Sequence, residues 1–361
     1  MRILTTITVA LLLTASAFGQ MTQKLTATKV SEYGLIYNLP KTVFDVTIEA
    51  ERIVNEPGEY YKYAKKYLDE DNPISERKES WRVKSVMVTS RGVADESERY
   101  LMQFKKGTSP YLIVNEQNMP LAINTENVPG NVVVDLPKAI DAQPTPLQTA
   151  AAQQVISQEM LQSQSSAKRA ELAAQQIYAL RQSRTELITG QADQMPPDGQ
   201  AMQLVLDNIA AQEAALTAMF VGTEQVSTSV RTFSFEPDSV SSEVVIARLS
   251  NVNGIVDRYD LSGDPIYLSL EIVEKGELPV NDKTGQAKQF PKGGVAYRIP
   301  GKARIAIEYK GDILFAQTFD VAQYGVVFGI DPSIFTDRKA PSYAIFDSET
   351  GAVREIGAVK Q

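Results

Sequence analysis

The sequence contains no cysteine and no histidine among its 361 residues. The absence of cysteine excludes disulfide bonds, thiol nucleophiles and iron–sulfur clusters, and the absence of histidine excludes an imidazole general base. Zinc sites of the usual kind and Ser-His-Asp triads are excluded for the same reasons. Catalysis by this chain would therefore depend on carboxylate, lysine, tyrosine or serine side chains.

Basic residues are also fewer than acidic residues. Lysine and arginine number 36 against 44 aspartate and glutamate residues, which gives a formal net charge of −8, and the basic residues do not form a block. Nucleic-acid-binding proteins typically carry a clustered basic surface, so the sequence does not indicate nucleic acid as a partner. The hydrophobic content of 43% is typical of a folded globular protein.

The N-terminus has the three parts of a secretory signal peptide. Arg2 supplies a positive charge, residues 3–13 form a short apolar run, and small residues follow at positions 15, 17 and 19. We predict that residues 1–19 are a signal peptide cleaved after Gly19, with cleavage after Ala17 as the alternative. No later stretch contains 18 consecutive apolar residues, so the sequence predicts no transmembrane segment.

Three zones of different composition follow the signal peptide. Residues 20–142 and 223–361 contain runs in which apolar and polar side chains alternate, for example residues 44–51 and 266–272. This alternation is typical of strands with one buried face. One short helix is predicted near residues 59–68, after a Pro-Gly pair. We therefore predict an α+β fold with two β-rich lobes, each an antiparallel sandwich or a barrel-like sheet.

The zone between the lobes, residues 143–222, differs from both. It is rich in alanine and glutamine, and no proline or glycine occurs between Leu147 and Thr189. Alanine and glutamine favour helices, and Gly190 and Gly222 are suited to end them. The Pro-Pro-Asp-Gly segment at 196–199 predicts the turn of a long antiparallel helical hairpin inserted between the two lobes.

One sequence pattern occurs twice. Residues 34–40 and residues 294–300 both read glycine, two residues, tyrosine, one polar residue, leucine or isoleucine, and proline. Each precedes an alternating strand pattern, and the two strand patterns differ in register by one residue, so we expect a bulge or a gap. The repetition indicates either a duplicated β unit or a chance recurrence, and both interpretations stay open.

Several segments together resemble the domain-of-unknown-function 4831 family of secreted Bacteroidota proteins. They are residues 34–40, the tyrosine-rich residues 60–68 followed by Trp81, parts of the helical zone between residues 187 and 222, and residues 294–300. The resemblance covers nearly the whole chain after the signal peptide. It implies a cell-envelope protein of a Gram-negative bacterium, in the periplasm or at the periphery of the outer membrane, and it implies no catalytic residues.

The densest group of aromatic residues is the candidate interaction surface. It consists of Tyr60, Tyr61, Tyr63 and Tyr67, which are interspersed with three lysines. On a helix Tyr60, Tyr63 and Tyr67 would share one face. Tyrosine combines a large contact area with a hydroxyl group, which suits the recognition of a protein or a sugar. The alternative is that this face packs against the sheet, with the hydroxyl groups at its rim.

We expect a non-catalytic adaptor that binds protein partners in envelope biogenesis or in the assembly of a surface complex, with no cofactor and no metal. The hairpin would either bind a partner through its apolar stripe or pack that stripe against the sheets of the chain itself. A glycan-binding module is the alternative function. A glycoside hydrolase with two catalytic carboxylates is a further alternative, although no spacing among the 44 acidic residues singles out a pair.

Overall fold

The computed structural model describes residues 21–24, 34–103, 110–128, 130, 134–196, 199–238, 242–337 and 340–359. The predicted signal peptide at residues 1–19 and the two turn residues Pro197 and Asp198 lie outside this part of the chain. Within it the protein is of the α+β class and is built mainly of antiparallel strands, as the sequence predicts.

The strands of the described residues form three antiparallel sheets. They are β1 (Met21–Lys24), β2 (Leu35–Glu56), β3 (Lys78–Gln103), β4 (Leu112–Val114), β5 (Pro120–Ile123), β6 (Thr223–Phe235), β7 (Ser242–Ser250), β8 (Gly254–Asp257), β9 (Gly263–Glu274), β10 (Val295–Tyr309), β11 (Asp312–Ile330), β12 (Ser342–Phe346) and β13 (Val353–Ala358). The first sheet has the order β1-β3-β2-β6, the second β11-β10-β9-β7-β8 and the third β13-β12-β5-β4.

In β2 the alternation of apolar and polar residues correctly predicts the buried face but not the environment of the opposite face. Its alternating side chains Phe44, Val46 and Ile48 are fully buried, as the pattern predicts. The opposite face is predicted to be solvated, but Glu49 on that face is largely buried against β3. Its carboxylate accepts hydrogen bonds from Lys84 Nζ at 2.9 Å and Ser85 Oγ at 2.8 Å, and these bonds hold the pKa of Glu49 below its ordinary value.

Strands from the two predicted lobes pair with each other. β2 pairs with β3 on one side and with β6 on the other, and β5 pairs with β12. An interior strand of 22 residues has two rows of backbone groups to satisfy, and β6 supplies partners for the second row. Residues 20–142 and 223–361 therefore contribute to common sheets, whereas the sequence predicts two separate lobes.

The first and second sheets share one hydrophobic core. Phe44 of β2 lies in the same buried cluster as Leu268 of β9, Ile305 of β10 and Val321 of β11. The rings of Phe44 and Phe319 meet edge to face, with centroids 5.2 Å apart. Burial of these apolar side chains between the two sheets stabilises the contact between them.

The two copies of the repeated pattern lie against each other. The fully buried Tyr37 belongs to the first copy, and its hydroxyl oxygen accepts a hydrogen bond from the backbone N–H of Ala296, in the second copy, at 2.9 Å. Burial raises the pKa of Tyr37 far above its ordinary range, so the hydroxyl stays protonated. It also donates to the carbonyl oxygen of Ala296 at 3.3 Å.

Both copies sit beside the same irregularity of strand pairing. Between residues 38 and 40 of β2, the paired position on β3 moves from 99 to 94. Between residues 299 and 301 of β10, the paired position on β11 moves from 326 to 321. In each hairpin, an advance of two residues on the strand that carries the pattern is therefore matched by an advance of five residues on its partner strand, next to Pro40 or Pro300. The same irregularity in both hairpins supports the interpretation that a β unit was duplicated.

The helices of the described residues lie between β2 and β3 and between β5 and β6. They are α1 (Ala64–Leu68), α2 (Ala150–Gln154), α3 (Gln158–Gln162), α4 (Ser166–Thr189) and α5 (Gly199–Val221). A 3-10 turn, Tyr61–Tyr63, leads directly into α1. Arg181 of α4 and Glu213 of α5 form an ion pair at 2.6 Å, so the two long helices lie side by side.

The first part of the predicted hairpin is divided into short helices because serine side chains cap new ones. Ser157 Oγ accepts a hydrogen bond from the N–H of Met160 at 3.2 Å at the start of α3, and Ser165 Oγ accepts one from Lys168 at the start of α4. α4 ends at Thr189 and is capped by Gly190, whose φ of 73° is the left-handed conformation that glycine adopts without strain.

One helix in the described part of the chain, α5, is long and apolar enough to span a bilayer by length and composition alone. A helix that packs into a protein core can meet the same criterion. Leu216 and Phe220 in the C-terminal turns of α5 have no exposed surface, so this end of the helix belongs to the core. The apolar composition of α5 therefore does not by itself favour a membrane span.

Candidate functional site

Tyr60 is a core residue. Its side chain is 2% exposed, and its ring centroid lies 5.5 Å from that of Phe220 in α5. The backbone N–H of Tyr60 donates a hydrogen bond to the carbonyl oxygen of Met219 at 2.7 Å. Gly58 permits this approach, because a Cβ at that position would lie 2.3 Å from the same carbonyl oxygen. Tyr60 therefore cannot contact a partner from its buried position.

The other three predicted tyrosines are partly exposed. Tyr61 and Tyr63 lie in the 3-10 turn and Tyr67 lies in α1. The ring of Tyr67 is 6.4 Å from that of Tyr63 and 6.4 Å from that of Phe220, so one side of Tyr67 faces the helices. The predicted face therefore packs on α4 and α5, not on a sheet, and only its outer part remains accessible.

The structure adds a tyrosine that sequence reasoning missed. The hydroxyl of Tyr178 in α4 donates a hydrogen bond to the carbonyl oxygen of Tyr67 at 2.7 Å, and the Tyr178 side chain is 52% exposed. Tyr178 immediately follows Ile177, a buried residue of the α4 stripe, but nothing in that pattern links it to Tyr67. We call Tyr61, Tyr63, Tyr67 and Tyr178 the tyrosine surface.

Cations lie over the rings of the tyrosine surface. Lys66 Nζ is 4.8 Å from the ring centroid of Tyr67, and Lys62 Nζ is 5.8 Å from that of Tyr61. Neither ammonium group forms an ion pair within the described residues, whereas Lys65 binds Asp69 at 2.7 Å and Asp71 at 2.9 Å. The surface therefore combines aromatic area with positive charge, which suits a partner with polar or acidic groups.

The ends of α4 and α5 that lie farthest from Phe220, together with residue 195 between them, carry exposed apolar side chains. Ile188 and Leu204 are each 64% exposed, and Met195 and Val205 are also exposed. We call these four residues the apolar arm end. All four lie near the junction of α4 and α5, and exposed apolar side chains that form a patch are often interaction sites, because their hydration is unfavourable unless another surface covers them. Sequence reasoning placed Val205 on an apolar stripe of the hairpin but missed Ile188, Met195 and Leu204.

A groove in the third sheet is a separate candidate site. Its volume is about 480 Å³, and it is lined by Tyr111, Asn124, Thr125, Glu126, Asn127, Tyr343, Ile345, Glu355, Ala358 and Val359. No lysine or arginine is among these described lining residues. The groove therefore offers aromatic rings, amide groups and carboxylates, but no positive charge.

The ring of Tyr343 is held flat across the neighbouring strand. A Cβ on Gly357, which pairs with Tyr343, would lie 2.6 Å from the Tyr343 hydroxyl oxygen, so the ring occupies the space that this glycine leaves. The Tyr343 hydroxyl donates a hydrogen bond to Glu355, and this bond raises the pKa of Tyr343. Both strands lie in a zone that the sequence predicts to be β-rich, but the sequence gives no sign of this groove.

The comparisons with known proteins give one family and no relatives of known function. The family model described as domain of unknown function DUF4831 matches residues 33–354. This range includes the tyrosine surface, the apolar arm end and most of the groove. No curated protein and no solved structure matches the chain.

Proposed function

The chain belongs to the DUF4831 family, whose function is unknown, and we propose that it is a non-catalytic adaptor that binds protein partners at the cell envelope. Its compartment in this proposal is the periplasm or the periphery of the outer membrane of a Gram-negative bacterium. The predicted signal peptide at residues 1–19 supports export. The role would be in envelope biogenesis or in the assembly of a surface complex.

The apolar arm end is the observation that carries this proposal. We take α4 and α5 as the legs of the predicted helical hairpin, inserted into a sandwich of the first and second sheets. Near Phe220 the hairpin is covered by its own chain, whereas Ile188 and Leu204 at the other end are exposed. These exposed side chains would be free to bind a partner helix or groove, whereas the part of the hairpin that includes Ala173, Ile177 and Leu216 packs internally.

The tyrosine surface supports the same function at the opposite end of the hairpin. Tyr63, Tyr67 and Tyr178 present rigid rings with few rotatable bonds, so little conformational entropy is lost when a partner covers them. Lys62 and Lys66 add charge that would orient an acidic partner segment. The two surfaces would together contact a partner along the length of the hairpin.

Charge substitutions at the arm end test the proposal. We expect the double variant Ile188→Glu, Leu204→Glu to lose the partner, because two carboxylates would have to be desolvated at the contact. The matched control is Leu161→Glu, since Leu161 in α3 is 73% exposed but lies outside the arm end. The measurement is photo-crosslinking in the native cells from arm position 195 or 205, both of which are unchanged in the double variant, followed by identification of the crosslinked protein.

The expected result is one dominant partner that is crosslinked from both arm positions and not from position 161. The double variant should lose this product, and Leu161→Glu should retain it. Equal crosslinking from all three positions, or full retention by the double variant, would contradict the proposal. Deletion of residues 143–222 is a less informative test, because it would also expose the buried Tyr60.

Glycan binding is the second candidate, and the groove of the third sheet favours it. Sugar rings stack on flat aromatic side chains, and Tyr343 lies flat across Gly357. Glu126 and Asn127 line the groove and offer acceptors and donors for hydroxyl groups. With carboxylates and no cation among the described lining residues, the groove would favour a neutral sugar over an acidic one.

A glycan array separates this candidate from the adaptor function. If the groove binds sugar, the protein should retain neutral oligosaccharides and reject uronic-acid and sialic-acid glycans. Tyr111→Ala should lower that binding at least about tenfold, the equivalent of about 1.4 kcal/mol. Tyr259→Ala is the control, because Tyr259 is 77% exposed and lies outside the groove. Absence of binding to every neutral glycan would exclude this candidate.

A further inference from the structure

The connection between β9 and β10, residues 275–293, contains a segment that projects into solvent. Residues 280–290 are all exposed. Both ends of the connection are fixed on β11. At one end the N–H of Gly276 donates a hydrogen bond to the carbonyl oxygen of Tyr324 at 3.0 Å, and at the other end the ring of Phe290 packs edge to face on an aromatic side chain of β11. We call residues 275–293 the lysine loop.

Hydrogen bonds within the lysine loop hold its tip in one conformation. The N–H of Lys288 donates to the carbonyl oxygen of Pro279 at 2.7 Å, and the N–H of Asn281 donates to that of Gln286 at 2.8 Å. Gly285, with a φ of 64°, closes the turn, and its N–H donates to the carbonyl oxygen of Asn281 at 2.8 Å. Because the tip is already ordered, little conformational entropy is lost when it binds another surface.

The lysine loop is basic although the whole chain is acidic. Its charged residues are Lys275, Lys283, Lys288, Lys292, Glu277 and Asp282. Four lysines and two acidic residues give the loop a net charge of +2, against −8 for the chain. Within the described residues none of the four lysines forms an ion pair, whereas Lys302 at the base of the loop binds Glu274 at 3.0 Å. The positive charge is therefore available to an anionic surface outside the chain.

Apolar side chains of the same loop are uncovered. Leu278 is 40% exposed, Val280 is 56% exposed and Phe290 is 43% exposed. The lysines are interspersed with these residues along the chain. A lysine side chain has an apolar stem and a charged head, so it can extend along apolar surface while its ammonium group stays in water. Basic and apolar side chains together are typical of a segment that lies at the boundary between lipid and water.

The small size of the projecting segment favours a membrane over a protein as its partner. A stable protein–protein interface buries about 800 Å² on each partner and takes roughly 20–30 residues from each. Residues 280–290 are eleven residues in a narrow hairpin, whose two sides meet at the bridge between Val280 and Ala287. A lipid surface needs less, because a few apolar side chains enter the headgroup region while basic side chains meet anionic headgroups.

We propose that the lysine loop binds the surface of an anionic phospholipid membrane. Leu278 and Val280 enter the headgroup region, and the ammonium groups of the lysines meet the lipid phosphates. The loop shares no residue with the tyrosine surface or the apolar arm end, so this inference does not rest on the adaptor function.

Neutralisation of two lysines tests the contribution of charge. The mature full chain should sediment with vesicles of phosphatidylglycerol and phosphatidylethanolamine at about 0.1 M salt, and it should stay in the supernatant with pure phosphatidylcholine vesicles. The double variant Lys283→Gln, Lys288→Gln should lower the partition coefficient at least about tenfold, the equivalent of about 1.4 kcal/mol, because each lysine near an anionic membrane adds to the attraction.

The matched control is the double variant Lys78→Gln, Lys138→Gln. It removes the same charge from two exposed positions outside the loop. At this salt concentration charges farther than about 10 Å from the membrane are screened, so the control should bind within about twofold of the wild type. Thermal unfolding verifies that each variant folds. A wild-type chain that does not sediment with the anionic vesicles, or an equal loss in the two double variants, would overturn the proposal.

A fluorescent label tests whether the tip enters the headgroup region. The chain has no cysteine, so Val280→Cys provides a single attachment site for an environment-sensitive dye. Its emission should shift to the blue when anionic vesicles are added. The control is Val252→Cys, since Val252 is 76% exposed but lies in a turn outside the loop, and its dye should not respond. A dye at position 280 that responds no more than the dye at position 252 would contradict the insertion of the tip.

Discussion

Replacement of Tyr60 by alanine is expected to lower the free energy of unfolding by about 3–5 kcal/mol, the usual cost of truncating a buried aromatic side chain. The Tyr60 ring is 2% exposed and lies in a buried cluster with Ala173 of α4 and Leu216 of α5. Its removal would leave a cavity between the start of α1 and the two long helices. Unfolding in denaturant, followed by circular dichroism, measures the change.

The neighbouring Tyr61 is the matched control for this experiment. Tyr61 is only partly buried, and Tyr61→Ala should cost less than about 1 kcal/mol. Tyr60→Phe keeps the ring in the cluster and should retain most of the stability. If Tyr60→Ala lowers the free energy of unfolding no more than Tyr61→Ala does, the Tyr60 ring faces outward. Tyr60 would then belong to the candidate interaction surface.

The tyrosines illustrate what the sequence can and cannot predict. Local spacing correctly predicts a short helical segment and a common face for Tyr60, Tyr63 and Tyr67. Which surface covers that face depends on residues far along the chain. Tyr178, whose hydroxyl binds the backbone of Tyr67, is 111 residues away in sequence. No local pattern encodes such a contact, so the exposed and buried members of the group could not be separated.

The strands also show that local patterns are predictable and long-range partners are not. The alternation at residues 44–51 predicts a strand with one buried face because the side-chain period of a strand is two. The partner of that strand is not encoded locally, since Phe44 pairs with Phe235 of β6. The composition of the chain changes at residues 143 and 222, and those changes mark the helices, but strands from both sides combine in common sheets. The groove between Tyr111 and Tyr343 results from the same long-range pairing.

Loss of the Arg298 side chain is expected to destabilise the protein by about 2–3 kcal/mol, because it leaves the partly buried carboxylate of Asp95 without its charged hydrogen-bond donor. Arg298 is 6% exposed, and its Nη2 donates a hydrogen bond to Asp95 Oδ2 at 2.5 Å. Its Nη1 also donates to the carbonyl oxygen of Ala322 at 3.3 Å. Asp95 belongs to β3 and Arg298 to β10, so the ion pair joins the two hairpins that carry the repeated pattern.

A double-mutant cycle isolates the contribution of the pair. The variants are Arg298→Met, Asp95→Asn and the combination of both, each measured by denaturant unfolding. The two single variants should together cost more than the double variant, because the double variant leaves no unpaired charge. Strict additivity of the two losses would mean that the guanidinium and the carboxylate do not interact, in contradiction to their distance.

The pH dependence of stability gives an independent test with a definite sign. Burial alone would raise the pKa of Asp95, but hydrogen bonds from Ser97 and the charge of Arg298 hold it below its ordinary value of 3.8. A carboxylate with a lowered folded-state pKa stabilises the protein above its unfolded-state pKa, and this contribution is lost as the pH falls through the folded-state value.

In Arg298→Met no guanidinium charge offsets the effect of burial on Asp95, so we expect the pKa of Asp95 to rise. Protonation of Asp95 at low pH should then restore part of the stability that the variant has lost. The difference in unfolding free energy between the wild type and this variant should therefore narrow as the pH is lowered from about 7 to about 3, since all other carboxylates titrate alike in both proteins. A difference that stays constant over this range would mean that Arg298 stabilises the fold through packing and its bond to Ala322, with no part for the charge of Asp95.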